Sequence, residues 1–534
     1  MPPAAIAISG TAFAQAEGTT GSNNDYGDIV VTANKREENL NKVGLTITAI
    51  SGSALADRKI TSLGDIASVV PGLAFAPSNT GTPILTLRGV GFNESSLGVY
   101  PAVSVYIDQV PLAFPALASH SAFDLQRIEA LKGPQGTLFG QNSTGGAINY
   151  IAAKPGDSHE SGFDLDYGRF NEVHGTAFIS GPLSDTLGIR LAVDGTHRDD
   201  WQKNFVRKDS NGEQNYIAAR LVTVWKPTDR LRFELNLNGS VDKSEPQALQ
   251  IIASMPSNPA APTPEELNVP LTPRKLRLAD WSIVGRESNA NQSATNAARP
   301  DGNRKLFQAF LRTDLDVTDD IALTSITTYN HLKQKMSFDL DGTQYELVDN
   351  PRDDGTMSDL SQELRLSNAS TPGATLRWTV GANYNRSKVS EYQDITYGDN
   401  SLSNAGTNFI HISGVDNRGR MNSYAAFGNA EYDISDQITL KAAIRYTKSI
   451  NKNAMCNTDP GTDQNVSELF VLLGQLLGGQ TVPINMGDCY SLDPVTFLPA
   501  GVFHRKLSED NVSWKVGVDF KMTPDVLLYA NVSR

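Results

Sequence analysis

Seven histidines and two cysteines are the scarcest reactive side chains in this chain of 534 residues, and neither set is spaced for chemistry. His159 is followed by Glu160, but the pair is not continued by a second histidine, so it is not a zinc-protease helix. The other histidines are scattered, and none stands in a metal-ligand spacing. There is no Gly-x-Ser-x-Gly turn, no Cys–His pair at a family spacing and no carboxylate pair with a supporting motif. The glycine-rich stretch from Gly133 to Gly156 lacks the Lys-Ser/Thr of a phosphate loop and has no Gly-x-Gly-x-x-Gly, which disfavours nucleotide binding. No catalytic residue, resident cofactor or metal centre is therefore expected. Cys456 and Cys489 fit a single structural disulfide made in an oxidising compartment.

The elements that position the remaining charges change character along the chain. From Ser161 onward apolar and polar residues alternate with period two. Leu187, Ile189, Leu191 and Val193 interleave with Arg190 and Asp194; Ile438, Leu440, Ile444 and Tyr446 interleave with Lys441 and Arg445. One face of each strand is apolar and the other charged, as when lipid lies on one side and a wet lumen on the other. Arg190, Asp194, Arg232, Glu234, Arg312, Asp314, Glu363 and Arg365 are inward by parity and are expected to pair with one another and with whatever fills the lumen. Short turns at 181–185, 226–229, 317–319, 370–373, 434–436 and 522–525 alternate with longer connections at 199–213, 244–303, 339–356, 393–417 and 451–508. About thirteen strands can be counted. Hydrophobic residues make up 39% and mean hydropathy is −0.30, with no run of 18 apolar residues, so a helical membrane protein is excluded and a β-barrel is not. A net charge of −13 and a pI near 5.1 argue against nucleic acid as a partner.

Ahead of this region, residues 1–16 read as a partial signal peptide without its basic start, with Ala12-Phe13-Ala14 and Ala14-Gln15-Ala16 as cleavage sites. Residues 17–27 form a flexible leader. Asp28-Ile29-Val30-Val31-Thr32-Ala33 follows, a β-prone hexapeptide suited to adding a strand to a partner's sheet edge; the alternative is the first strand of the next domain. Val43 to Ser51, 84–90 and 103–108 read as strands, and Leu63 to Gly72 as a short helix stopped by Pro71-Gly72. Leu125, Ile128 and Leu131 stand at helical spacing and predict a second helix over 124–131.

The run DLQRIEALKGPQGTLFGQNSTGGAIN, from Asp124 to Asn149, resembles the end of the plug domain of TonB-dependent outer-membrane receptors. Leu85-Thr86-Leu87-Arg88-Gly89-Val90-Gly91 and Val103-Ser104-Val105-Tyr106-Ile107-Asp108 resemble two earlier plug strands of that family. The resemblance implies a mostly β chain: a small α+β plug at 34–155 inside an antiparallel transmembrane β-barrel that begins at 161. It places the protein in the outer membrane of a Gram-negative bacterium, embedded in its lipid bilayer. A lumen that holds a plug belongs to barrels of about 22 strands, so residues 161–534 are expected to be the N-terminal part of a longer barrel, with the chain truncated at its C-terminus.

Asp28 to Ala33 would be the TonB box, within a leader at 17–33, with TonB as partner and ExbB and ExbD engaged indirectly. Arg88, Arg127, Glu129 and Lys132 lie on motifs that the family uses to lock plug to barrel, with Glu363 as the expected partner; Lys132 stands where arginine is expected, and lysine cannot form the bidentate fork. The solute implied is a ferric siderophore, with cobalamin or another organic nutrient as alternatives. Phe92, Asn93, Tyr100, Phe114 and His120, at the expected plug apex, are the candidates to touch it, with plug packing as the alternative for each. A passive porin or adhesin would need neither plug nor box.

Overall fold

The computed structural model describes residues 30–32, 35–36, 38–78, 80–94, 96–140, 142–206, 208–255, 260, 271–281, 300–343, 348–368, 373–397, 410–461, 465–523 and 526–534. The expected signal peptide and most of the leader, with Asp28, Ile29 and Ala33 of the hexapeptide, lie outside the described residues.

The first domain is built on a five-stranded sheet in the order Ile47–Ser51, Leu125–Lys132, Gly146–Ala152, Val103–Ile107, Val110–Leu112. Only the contact between Gly146–Ala152 and Val103–Ile107 is parallel. A smaller sheet joins Leu73–Ala76, Ile84–Leu87 and Val90–Gly91. The helix Leu63–Val69 starts where its sequence says it should: Ser62 accepts from the Asp65 amide while the Asp65 carboxylate accepts from the Ser62 amide.

The helix expected over 124–131 is a strand. Leu125–Lys132 sits second in the sheet, paired on both edges and buried along most of its length. Ile128 and Ala130 point into the larger apolar core, whereas Leu131 joins Val31, Val43, Tyr106 and Ala147 on the opposite face. Apolar residues three apart fit a helix, yet a short run covered on both faces loses the clean alternation that marks a strand. Arg127 and Glu129, which look like the wet side of a helix, are buried within the domain.

A single antiparallel sheet of thirteen strands follows, each strand hydrogen-bonded to the next in chain order. It runs from Glu160–Gly168 through Leu187–Arg198, Leu231–Asp242, Ala322–Asp339, Leu376–Thr396, Ile412–Asp433, Ile438–Thr458 and Phe503–Thr523 to Val526–Ser533. The early strands are of 9 to 13 residues and the later ones reach 22, so the ladder continues into stretches expected to be loop at 339–356, 393–417 and 451–508. Beyond the apolar belt both strand faces are polar, and the period-two signal fades while the backbone pairing goes on. Cys456, near the end of Ile438–Thr458, is bonded to Cys489 in the connection that also carries the helix Asn465–Gly478. The first and last strands of the sheet do not pair with one another.

The plug sits against the inner face of this wall. Its main apolar core, with Ile66, Leu87, Val103, Ile107, Ile128 and Ile148, runs on without a break into the inward wall residues Leu306, Phe310, Ile326, Leu332, Met357 and Val389. The inward parity assigned to the wall charges has the same origin, since those residues share the plug-facing side with these apolar ones.

Gly146 opens the central plug strand at φ +143, and a Cβ there would lie 2.2 Å from the Leu131 carbonyl oxygen and 2.6 Å from a Leu87 methyl. Gly146→Ala should therefore loosen the plug sheet by about 2–4 kcal/mol. Hydrogen exchange should report it as a roughly hundredfold loss of protection in Leu125–Lys132, with the outer wall strands unchanged; unaltered protection would show that the backbone absorbs the methyl.

Candidate functional site

The chemistry of the described residues is concentrated where the plug meets the wall and where the chain enters the plug. Val30–Val31 forms a two-residue strand against Glu38–Asn39, with Val31 fully buried. The next residue, Thr32, gives its backbone amide to both carboxylate oxygens of Glu129 at 3.0 Å and its hydroxyl to Oε2 at 2.9 Å. Glu129 also accepts from Arg127 Nε at 2.8 Å, and Asn149 donates to the Thr32 hydroxyl at 3.1 Å. A carboxylate with no solvent exposure is thus held by one cation and two further donors, which is what a buried charge needs.

The next residues reach the wall. Lys35 Nζ lies 2.7 Å from Glu363 and 4.8 Å from the centre of the Phe427 ring. Burial lowers the Lys35 ammonium to about 8, against the pull of Glu363. Arg36 bridges Glu38 and the wall residue Glu431. Farther round, Lys154 joins Asp108 at 2.9 Å and Glu234 on the wall. Arg190 binds Asp124 through Nε at 2.9 Å, and Arg220, fully buried, donates to the Phe123 and Ser121 carbonyls at 2.7 and 3.0 Å. Arg304 donates to Gly81 O, and Arg365 to Gln109. Four of the eight inward charges meet the plug directly, Arg190, Glu234, Glu363 and Arg365, while Arg312 with Asp314 and Arg232 with Glu234 pair along the wall at 2.8 and 2.6 Å.

The expected lock is only partly of the expected residues. Glu363 does hold the plug, but through Lys35 rather than Lys132. Arg127 and Glu129 pair with each other inside the plug. Arg88 and Lys132 make no ion pair among the described residues; Arg88 stands at positive φ in the turn after Ile84–Leu87, and burial together with the nearby Arg88 charge lowers the Lys132 ammonium. The residues that carry most of the lock, Lys35, Arg36, Asp124, Lys154 and Arg220, were not picked out from the sequence. A hint was present in Lys35 and Arg36, two cations directly behind the hexapeptide.

Of the five solute candidates, Phe92 and Asn93 are exposed. Tyr100 stacks on Phe114 at 4.7 Å, and Phe114 is buried in the plug core, so its role is packing. His120 is taken up by the wall: Nε2 lies 2.8 Å from Asp242 and the ring stacks on Tyr216 at 4.0 Å. Two carboxylate triads, Asp200/Glu213/Glu245 and Asp339/Asp341/Asp349, bring oxygens within 4.8 Å of one another. Both already close turns, since Glu245 accepts from the Gly212 and Glu213 amides and Asp339 from those of Asp341 and Gly342.

Two family models match this chain: the TonB-dependent Receptor Plug Domain over residues 39–147, and the TonB dependent receptor-like β-barrel over residues 257–534. The pesticin receptor of Yersinia pestis is 33% identical over 173 residues, which are 31% of this chain and 24% of that protein. The catecholate siderophore receptor Fiu of Escherichia coli K12 is 26% identical over 299 residues, 54% of this chain and 34% of that one. The chain thus spans about a quarter to a third of the length of these relatives. Among solved structures, the ferric yersiniabactin uptake receptor FyuA of Yersinia pestis superposes with a TM-score of 0.66 at 16% identity, covering 91% of this chain and 64% of that one. The open form of Fiu gives 0.66 at 17%, covering 93% and 70%.

The Thr32–Glu129 contact can be tested directly. Glu129→Gln keeps the shape but leaves Arg127 without its counter-charge and Thr32 with a weaker acceptor, at about 2–4 kcal/mol. A cysteine at position 31 should then react with a maleimide at least tenfold faster than in the Glu129 background; equal rates would mean that the carboxylate does not hold the segment.

Proposed function

The chain belongs to the TonB-dependent receptor family of Gram-negative outer-membrane β-barrels, whose members are receptors and transporters, and on that premise we propose that it imports a scarce solute actively, most concretely a ferric siderophore. The division we propose is a leader at 17–33, a plug at 34–155 and the barrel wall from 161. The observation that carries the reading is the buried anchorage of Thr32 on Glu129. Asp28 to Ala33 would be the segment that TonB captures by strand addition. A pull on that segment acts first on Thr32, and Glu129 passes it into the central strands of the plug sheet. Lys35–Glu363 and Arg36–Glu431 come next along the same line of force, so load that frees Thr32 reaches two plug–wall ion pairs in succession.

The geometry suits a device that opens under load and closes by itself. Each pair is stable while water is kept out and loses its advantage once water enters, because hydration then replaces the lost partner. Solute would bind outside, among the long connections and the exposed plug residues Phe92 and Asn93. Iron would arrive already enclosed by its chelator, so a resident metal ligand set is not needed. The ferric siderophore reading is supported by what the relatives are named for, the pesticin receptor and the catecholate siderophore receptor Fiu.

Val31→Pro removes an amide donor from the captured strand. The variant should bind solute normally at the cell surface while accumulation of radiolabelled ferric chelate falls to background. Continued uptake would exclude Asp28–Ala33 as the coupling segment. Cells that fail to take up any ferric catecholate or phenolate chelate, but take up cobalamin or another organic nutrient, would move the solute to that class.

A further inference from the structure

Four neighbouring wall strands place cations directly opposite one another on the outer face. Lys388 pairs in register with Arg420, Arg420 with Lys452, and Lys452 with Lys506. Ser358, opposite Lys388, extends the row by one strand and adds a hydroxyl. That the row faces outward follows from its chain neighbours: Met357, Val389 and Met421 are buried on the plug side, and side chains alternate along a strand. These residues line a groove with a volume of about 720 Å³, together with Arg418 and His504.

Like charges directly opposite in a sheet repel, and natural strands usually separate them. Here four stand in a row across roughly 14 Å, at about 4.8 Å per strand. Among the described residues none of the four is in an ion pair or a side-chain hydrogen bond. The acidic residues of the same face lie in other rows. Asp416 is committed to Arg418 at 2.6 Å, and Asp510 lies opposite Lys448. In a chain with a net charge of −13, so local an excess of positive charge needs an anion from outside.

The height of the row says which anion. Toward the short turns the same face carries exposed Val380, Ile444, Trp514 and Val516, the lipid-facing belt. That belt ends at a tyrosine pair, Tyr384 and Tyr424, whose rings are 5.1 Å apart. Lys388 lies four residues beyond Tyr384, toward the end where the connection holding Asn465–Gly478 emerges. Aromatic residues mark the level where acyl chains give way to headgroups, and long connections mark the cell exterior. The cations therefore stand at headgroup depth in the outer leaflet.

We propose that Lys388, Arg420, Lys452 and Lys506 form a binding site for the phosphate groups of a phosphorylated lipid of the outer leaflet. Arg420, in the centre, can grip a phosphate with two parallel donors, and the lysines on either side add point charges. Spacing over several strands suits a headgroup that carries more than one phosphate.

The test uses the intact protein extracted in a neutral detergent and bisphosphorylated lipid A as probe, with bound lipid counted by native mass spectrometry. Wild-type protein should bind it saturably, and K388Q/R420Q/K452Q should bind at least tenfold more weakly. K226Q, at a short turn on the opposite end of the wall, should bind as wild type, and K388R/K452R should retain binding, which separates loss of charge from loss of fold. Equal binding by the triple variant overturns the proposal, as does equal affinity for lipid A stripped of its phosphates. Displacement of the lipid by an equimolar amount of inorganic phosphate also overturns it, since the site would then recognise a free anion rather than a headgroup.

Discussion

Everything in this molecule depends on how charge is handled where plug meets wall. The inward face of the wall is studded with ionised side chains, and the plug pushes most of the water away from them. A carboxylate or guanidinium in that position is tolerable only with a partner of opposite sign or a set of carbonyls. Arg220 meets two plug carbonyls, Glu234 meets Lys154 and Arg232, and Glu363 meets Lys35 and Arg365. The apolar core crosses the same boundary through Phe310, Met357 and Val389, which fixes the plug's position to within a side chain. The ion pairs then fix its rotation. Among the described residues this interface is a set of paired charges around a continuous apolar core.

Much of the architecture was legible because a sheet with lipid on one face and a wet lumen on the other writes a period of two into its sequence. Thirteen strands could be counted from that alternation and the turns between them, and the sheet has thirteen. The signal failed in two places for opposite reasons. Leu125–Lys132 is covered on both faces, so its alternation is masked, and a spacing of three among Leu125, Ile128 and Leu131 mimicked a helix. The outer ends of the long strands carry mainly polar residues on both faces, so the apolar alternation is lost and they resemble loops.

Site residues were harder, because partners in an antiparallel barrel are remote in sequence. Parity placed Glu363 facing inward but could not tell which plug cation it meets, and Lys35 lies 328 residues away. Phe114 and His120 stand at the expected plug apex, and nothing in their chain neighbours tells a side chain that packs from one that is free. Phe114 instead fills the plug core and His120 caps Asp242. The basic row on the outer wall was invisible for the same reason of distance: its members lie some thirty or more residues apart, and no basic run marks them.

The pairing pattern also sets an order of assembly. Ile47–Ser51 has one sheet neighbour, Leu125–Lys132, and Thr32 rests on Glu129, 97 positions downstream. A chain made and exported from its N-terminus therefore carries its opening stretch unpartnered until the middle of the plug has formed. The hairpin of Leu125–Lys132 with Gly146–Ala152 is the local contact on which the sheet can nucleate, and the strand Ile47–Ser51 adds to its edge afterwards. The segment at Val30 to Thr32 docks onto a sheet that is already complete. Its hold is local, through Val31 in the smaller apolar cluster and Thr32 on Glu129, so its release would leave the hairpin of Leu125–Lys132 with Gly146–Ala152 paired.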